Sequence, residues 1–230
     1  MKRQIIAMGG GGFSMEESPL LDLYVLKATG KAKPKVCFLA TASGDSENYI
    51  LRFYRAFSKL DCRPTDLSLF RRTITDLTDF VCSQDIVYVG GGNTANLLSV
   101  WKTHGLDKSL KTAYENGTVL CGLSAGSICW FQEGVTDSFG NDLERLDCLG
   151  FLAGSNCPHY NGEANRRPAY FSLMEKGMKK GIAVDDSAAA HFIDEKLDSV
   201  VSSLEGSRAY EVGLHNGKVY ERPLSVRCLG

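Results

Sequence analysis

Ser124 is the residue of this chain best placed to do chemistry. It ends the apolar run Val119-Leu120-Cys121-Gly122-Leu123-Ser124-Ala125-Gly126-Ser127. Gly122-x-Ser124-x-Gly126 has the spacing of a nucleophile elbow, in which a buried strand turns sharply into a helix and lifts a hydroxyl above the sheet. The flanking residues must be small, because the turn brings backbone against backbone. The same geometry aims the amide of Ala125 at whatever the hydroxyl attacks. The pattern points to serine-dependent hydrolysis of an acyl bond. The residues that follow, Ala125, Ser127, Ile128, Cys129, Trp130 and Phe131, predict a buried helix. An ordinary Gly-rich strand-to-helix turn would look the same, so the partners decide.

A serine hydroxyl needs a base, and the chain has four histidines. His104 precedes Gly105 at the end of a predicted helix, where an imidazole interacts with the helix C-terminus. His191 follows three alanines in a predicted strand, and His215 sits in a predicted hairpin turn. His159 lies in Asn156-Cys157-Pro158-His159-Tyr160, where the proline restrains the residue before it. We therefore take His159 as the candidate base. Two places compete for the orienting acid. Asp185-Asp186 stand at the end of Gly181-Ile182-Ala183-Val184, where a sheet places side chains rigidly, and this favours Asp186. Asp137, in Val135-Thr136-Asp137-Ser138, is the alternative.

Gly90-Gly91-Gly92-Asn93-Thr94 also follows a strand and opens a helix. It lacks the G-x-G-x-x-G spacing and the lysine of a phosphate loop. Beside Ser124 it reads as the second oxyanion-hole donor, since glycine lets a peptide N–H approach unobstructed. Gly9–Gly12 reads as a tight crossing near the site.

These residues need a frame to hold them. Strands are predicted over Gln4–Met8, Lys35–Ala40, Thr65–Leu69, Asp85–Val89 and Val119–Leu123. The intervening helices are a segment capped by Ser14-x-x-Glu17 and ending near Gly30, then Asn48–Leu60, Asp76–Cys82, Ala95–Thr103 and Leu106–Glu115. This alternation predicts a mainly parallel sheet covered on both faces. Beyond Ser124, Asp137 to Gly162 reads as loop, Tyr170–Lys179 as helix and Gly181–Val184 as strand. Ala188–Ile193, Leu197–Ser202, Arg208–His215 and Lys218–Glu221 read as β, with His215-Asn216-Gly217 as a hairpin turn.

Composition limits the alternatives. The 230 residues are 43% hydrophobic and 23% charged, with a net charge of −1. One α/β domain over residues 1–230 is expected, with no general attraction to nucleic acid or anionic membrane. No apolar run approaches the length of a membrane span. The basic, then apolar N-terminus is too short in its apolar part for a signal peptide and stops at four glycines. The eight cysteines form no Cys-x-x-Cys pair. They read as reduced thiols of a cytoplasmic protein, with no metal site and no cofactor expected.

Taken in order, Gly90-Gly91-Gly92-Asn93-Thr94, Gly122-x-Ser124-Ala125-Gly126, Pro158-His159 and Gly181-x-x-x-Asp185-Asp186 resemble the dipeptidase E (aspartyl dipeptidase) and cyanophycinase family of serine peptidases. The resemblance runs from the first strand to about Ala190. It implies a three-layer α/β sandwich of the class I glutamine amidotransferase-like (flavodoxin-like) kind, here with extra C-terminal β-strands. By resemblance Ser124 is the nucleophile and His159 the base, and Gly91, Gly92 and Ala125 surround the oxyanion. Asp186 falls where the family often has a glutamate. Asp137 matches another aspartate assigned that role, two residues out in its interval from the serine. Arg166 and Arg167 stand near where the dipeptidase carries an arginine for its substrate's carboxylate. Ser127–Phe131 looks more like a peptidase-E-like branch than the dipeptidase itself. The implied partner is a small peptide, cleaved by a monomer or homodimer. Two rivals remain at this stage: an α/β-hydrolase esterase using Ser124, Asp186 and His215, and a non-catalytic carboxylate-binding module.

Overall fold

The central strands of the first half are apolar along most of their length, and alternate residues go to opposite cores. The computed structural model describes residues 2–140 and 142–230. Its first elements are β1 (Gln4–Met8), α1 (Leu20–Ala28), β2 (Lys35–Leu39), α2 (Glu47–Phe57), β3 (Arg63–Asp66), α3 (Leu77–Cys82), β4 (Ile86–Val89), α4 (Thr94–His104), α5 (Leu106–Glu115) and β5 (Val119–Leu123). The strands run parallel in the order β1-β5-β4-β2-β3. Ile6, Met8, Val36, Phe38 and Tyr88 pack with Leu21 and Val25 of α1 and Phe53 and Phe57 of α2. Their neighbours Ile5, Ala7, Cys37, Leu39 and Val89 pack with Val81 of α3, Trp101 of α4 and Leu110 of α5. A strand buried on both faces has no polar side to show, hence the unbroken apolar runs.

The second half holds α6 (Ala125–Ile128), β6 (Phe131–Thr136), β7 (Glu144–Asp147), β8 (Leu152–Cys157), α7 (Arg166–Glu175), β9 (Gly181–Val184), β10 (Ala188–Ile193), β11 (Lys196–Ser202), β12 (Ala209–His215), β13 (Lys218–Pro223) and β14 (Arg227–Cys228). Here the architecture departs from the single sheet expected. β10, β11 and β14 extend the first sheet beyond β1, making eight strands, with β10 antiparallel to β1. The other strands form a second, six-stranded sheet in the order β13-β12-β9-β8-β6-β7. Phe131, Leu152 and Ile182 of this sheet share a core with Ala188, Ala190 and Phe192 of the first.

Several local expectations are corrected. The helix expected after Ser124 is one turn, Ala125–Ile128, and Phe131 already begins β6. The run was apolar because it is buried, and burial does not distinguish helix from strand. The expected loop from Asp137 to Gly162 contains β7 and β8. Leu152-Ala153-Gly154-Ser155-Asn156-Cys157 has no alternation to reveal it, and its close neighbour Gly181 leaves no room for a side chain: a Cβ there would lie 2.0 Å from the Ser155 carbonyl oxygen. Ser14 and Glu17 do not cap α1, which starts after Pro19 without a side-chain cap. Instead Ser14 Oγ accepts from the Tyr49 hydroxyl at 3.0 Å. The strand expected at Thr65–Leu69 is shifted to Arg63–Asp66, and α7 begins earlier than Tyr170. Pro168 is tolerated in its first turn, where an amide donor is not required. The hairpin turn stands as expected, with Asn216 at φ 50° and Gly217 at φ 74°.

Candidate active site

The candidate residues gather where β1, β4, β5, β8 and β9 end, the C-terminal edge at which parallel sheets present ligand sites. Ser124 follows β5 directly and adopts φ 55°, ψ −117°. A non-glycine residue in this region is strained, and such strain persists only where the surroundings impose it. A Cβ on Gly122 would lie 2.5 Å from the Gly126 oxygen and 2.6 Å from the Val89 oxygen, and one on Gly126 would lie 2.2 Å from the Val89 oxygen. The two elbow glycines are therefore a steric requirement of packing β5 and α6 against β4. Ser127 is fully buried, with its hydroxyl on Asn156 Oδ1 at 3.1 Å. It presents no hydroxyl to the site.

The glycine run after β1 joins the site's parts. The Met8 carbonyl accepts from the Ser124 amide at 3.3 Å, the Gly9 carbonyl from the His159 amide at 3.2 Å, and the Gly10 carbonyl from the Ser187 amide at 3.1 Å. His159 also has a left-handed backbone, φ 53°. Its Nδ1 lies 2.6 Å from Asp186 Oδ1. Asp186 is fixed in turn: its amide donates to Asn161 Oδ1 at 2.8 Å. Gly10 and Gly162 enclose the carboxylate so closely that a Cβ on either would lie 2.0 Å from one of its oxygens. Among the described residues the imidazole makes no hydrogen bond to the Ser124 hydroxyl. Contacts of that kind often tighten only with substrate in place.

Gly91 borders the serine: a Cβ there would lie 3.2 Å from Ser124 Cβ and 3.6 Å from its Oγ. Its amide donates to the Tyr49 hydroxyl at 3.2 Å. Sequence reasoning passed over Tyr49, which looks like one more apolar-face residue of α2. Burial pushes its phenol pKa up. Gly92, at φ 136°, packs on the Ala42 carbonyl, where a Cβ would come within 2.3 Å. Ala125, buried behind the elbow, begins α6.

The remaining candidates lie elsewhere. Asp137 is exposed. Its neighbour Ser138 docks on the start of α4, accepting from Asn93 Nδ2 at 2.9 Å and from the Ala95 amide at 3.1 Å. Asp185 is buried and turns to the Arg208 amide at 2.9 Å, with burial raising its pKa. His215 is exposed in its turn beside Asn216. The order Ser124, Asp186, His215 is therefore not assembled. His191 is a core residue held by the Tyr24 hydroxyl at 2.8 Å and Gln4 Oε1 at 3.1 Å, and burial lowers its pKa.

The two arginines expected to hold a substrate carboxylate are each engaged by a carboxylate of this chain. Arg166 is buried, with Nε on Glu163 at 2.6 Å and Nη1 on the Val135 carbonyl at 3.0 Å. Arg167 forks onto Glu221, with Nε 2.8 Å from Oε2 and Nη2 on Oε1. Their residue type was legible but their partners were not, since Glu221 is far away in sequence. Among the described residues no cluster of three or more His, Cys, Asp or Glu could hold a metal ion, and no helix is long and apolar enough to cross a membrane.

Comparison with known proteins identifies the family. The model of peptidase family S51 matches residues 5–200. The uncharacterized peptidase YgaJ of Bacillus subtilis is 56% identical over 230 residues, covering 99% of this chain and 100% of that protein. An uncharacterized peptidase of Listeria monocytogenes is 28% identical over 151 residues, 62% of this chain and 72% of its own. The crystal structure of a peptidase from an acI-B1 Actinobacterium shares the fold, with a TM-score of 0.76 over 97% of this chain and 94% of that one, at 18% identity. The chain belongs to peptidase family S51, the dipeptidase E family, and is a serine-type peptidase.

Proposed function

We propose that this chain, acting as one unit over its length, hydrolyses small peptides through Ser124, His159 and Asp186. His159 takes the hydroxyl proton as Ser124 attacks the scissile carbonyl, and then delivers it to the leaving amine. Asp186 holds the imidazole in one tautomer and stabilises its charged form. The Ala125 amide and an amide of the Gly90–Gly92 loop stabilise the oxyanion. The Gly91 amide is already taken up by Tyr49, so Gly92 is the favoured second donor. Water then attacks the acyl-enzyme by the same route in reverse. A mainly parallel sandwich of the glutamine amidotransferase-like kind accommodates this scheme, with serine as nucleophile.

The observation that carries the reading is the shared anchorage. Consecutive carbonyls of Met8, Gly9 and Gly10 hold the amides of Ser124, His159 and Ser187, next to the His159–Asp186 bond. A preference for acidic substrates has no support from Arg166 or Arg167, each of which is held by a carboxylate of this chain. The test is a panel of acidic, neutral and isoaspartyl dipeptides beside simple esters, with wild type and Ser124→Ala. Cleavage of a dipeptide by wild type and its loss in the variant are expected. Equal cleavage by both proteins would remove Ser124 from the reaction.

A further inference from the structure

His159 occupies a left-handed backbone region, φ 53°, that an L-residue keeps only where its surroundings impose it. Its own bonds to Gly9 and Asp186 are joined by those of its neighbour Tyr160. Tyr160 is buried, and its amide donates to the Val184 carbonyl at 3.2 Å, at the end of the strand that leads into Asp185-Asp186. Its hydroxyl donates to Glu221 Oε2 at 2.5 Å. The same carboxylate receives the Arg167 fork. The guanidinium lies over both the Tyr160 ring, at 5.2 Å, and the Tyr210 ring, at 5.4 Å. One residue beside the candidate base is thus tied to α7, β9, β12 and β13.

We infer that Tyr160, Glu221 and Arg167 are positioning residues for His159, so that the C-terminal hairpin β12–β13 braces the base. The inference rests on the proposed Ser124–His159 pair. Arg167 is then a structural clamp with two of its donors on Glu221, and Glu221 matters because it fixes the phenol of the residue that follows the base. The protonation states agree with this. Burial works against the Glu221 charge, yet the Arg167 fork and the Tyr160 hydroxyl hold its carboxyl below the ordinary range. Burial and the facing Glu221 raise the Tyr160 phenol, so it remains a donor. A second ion pair on the same hairpin serves as an internal control. Glu211 meets Lys180 at 3.4 Å and Arg222 at 3.3 Å and accepts from the Tyr220 hydroxyl at 3.0 Å; among the described residues it makes no hydrogen bond or ion pair with Tyr160, Arg167 or Glu221.

The experiment uses the full chain and a small neutral fluorophosphonate. That probe reports how strongly Ser124 is activated and has no carboxylate for an arginine to bind. Glu221→Gln and Tyr160→Phe should slow labelling of Ser124 by roughly tenfold, within the loss that a small misplacement of a catalytic group produces. Arg167→Lys, which keeps the charge but not the fork, should give an intermediate rate. Glu211→Gln should label at the wild-type rate. In spectra of 15N-histidine-labelled protein, Glu221→Gln should move the ring signals of His159 and leave those of His104, His191 and His215 in place. Wild-type labelling rates in Glu221→Gln and Tyr160→Phe, an unmoved His159 ring, or equal slowing in Glu211→Gln would each overturn the brace. Failure of the wild type to label at Ser124 is a different result: it would remove the catalytic pair itself, and the brace with it.

Discussion

Ser124 is held by backbone alone, whereas His159 and Asp186 add to their backbone contacts a set of side-chain ties gathered from distant parts of the chain. On the serine side, Gly122 and Gly126 close against the Val89 carbonyl, and the Met8 carbonyl takes the Ser124 amide. On the histidine side, Asp186 depends on Asn161, and Tyr160 depends on Glu221 and Arg167. A nucleophile set by close backbone contact tolerates almost no added volume. A base set by side-chain ties can lose those ties one by one and keep the fold.

The largest effects should come from the reacting groups on both sides. Ser124→Ala and His159→Ala should each lower peptide hydrolysis by roughly 10³-fold or more, because members of a triad act as a unit. Circular dichroism should show both variants folded. His215→Ala should match wild type. A reversal, with His215 essential and His159 dispensable, would restore the esterase order. Asp186→Asn comes next. It keeps the shape but spoils the tautomer, a change that costs up to about 10⁴-fold in the best-studied triad. Asp137→Asn, at an exposed position, should cost little. Rates measured for the two variants decide between the acids.

Glycine substitutions sharpen the contrast further. Gly10→Ala would place a Cβ 2.0 Å from Asp186 Oδ1 and 3.0 Å from His159 Cε1. It should cost on the order of 100-fold in kcat by displacing the acid and base together. Gly91→Ala meets Ser124 at 3.2 Å and should cost less. Equal losses would mean that the Gly90–Gly92 loop is as tightly set as the histidine side.

These expectations follow the line between what was readable in the sequence and what was not. Four of the parallel strands, β1, β2, β4 and β5, and the elbow were readable because two-sided burial demands apolar runs and the turn demands small residues. The partly exposed edge strand β3, Arg63–Asp66, has no such run and was placed too late in the chain. Asp186 was readable as an acid at a strand end. Of the second sheet, β7 and β8 were hidden in the stretch from Asp137 to Gly162, whose strands pair through backbone with few apolar side chains to mark them, and β6 lay at the end of an apolar run that predicted helix. Tyr49 and Glu221 were invisible for a related reason. Their roles come from contacts with Gly91 and Tyr160, 42 and 61 positions away. Arg166 and Arg167 showed the opposite failure: a cationic pair suggests an anion, but a sequence does not say that the anion is the chain's own.

Stability should respond to pH through Asp22, which lies buried with Oδ1 3.1 Å from the Tyr88 hydroxyl. Burial raises its pKa from 3.8 to about 7. The folded state therefore favours the neutral acid. That advantage is complete below the unfolded pKa and is lost as pH rises through about 7. The full shift corresponds to about 4 kcal/mol. Denaturant titrations at a series of pH values should show this decline in wild type and a flatter profile in Asp22→Asn. An equal slope in both would place the titration elsewhere.

The proposed reaction requires Ser124 and His159 to form one catalytic unit across this divide. Comparing the activity of Ser124→Ala, His159→Ala and the double variant on the same peptide tests that unit. The double variant should be no worse than either single one, because removing one member already disables the other. Losses that multiply, as for independent sites, or substantial activity in either single variant would contradict it.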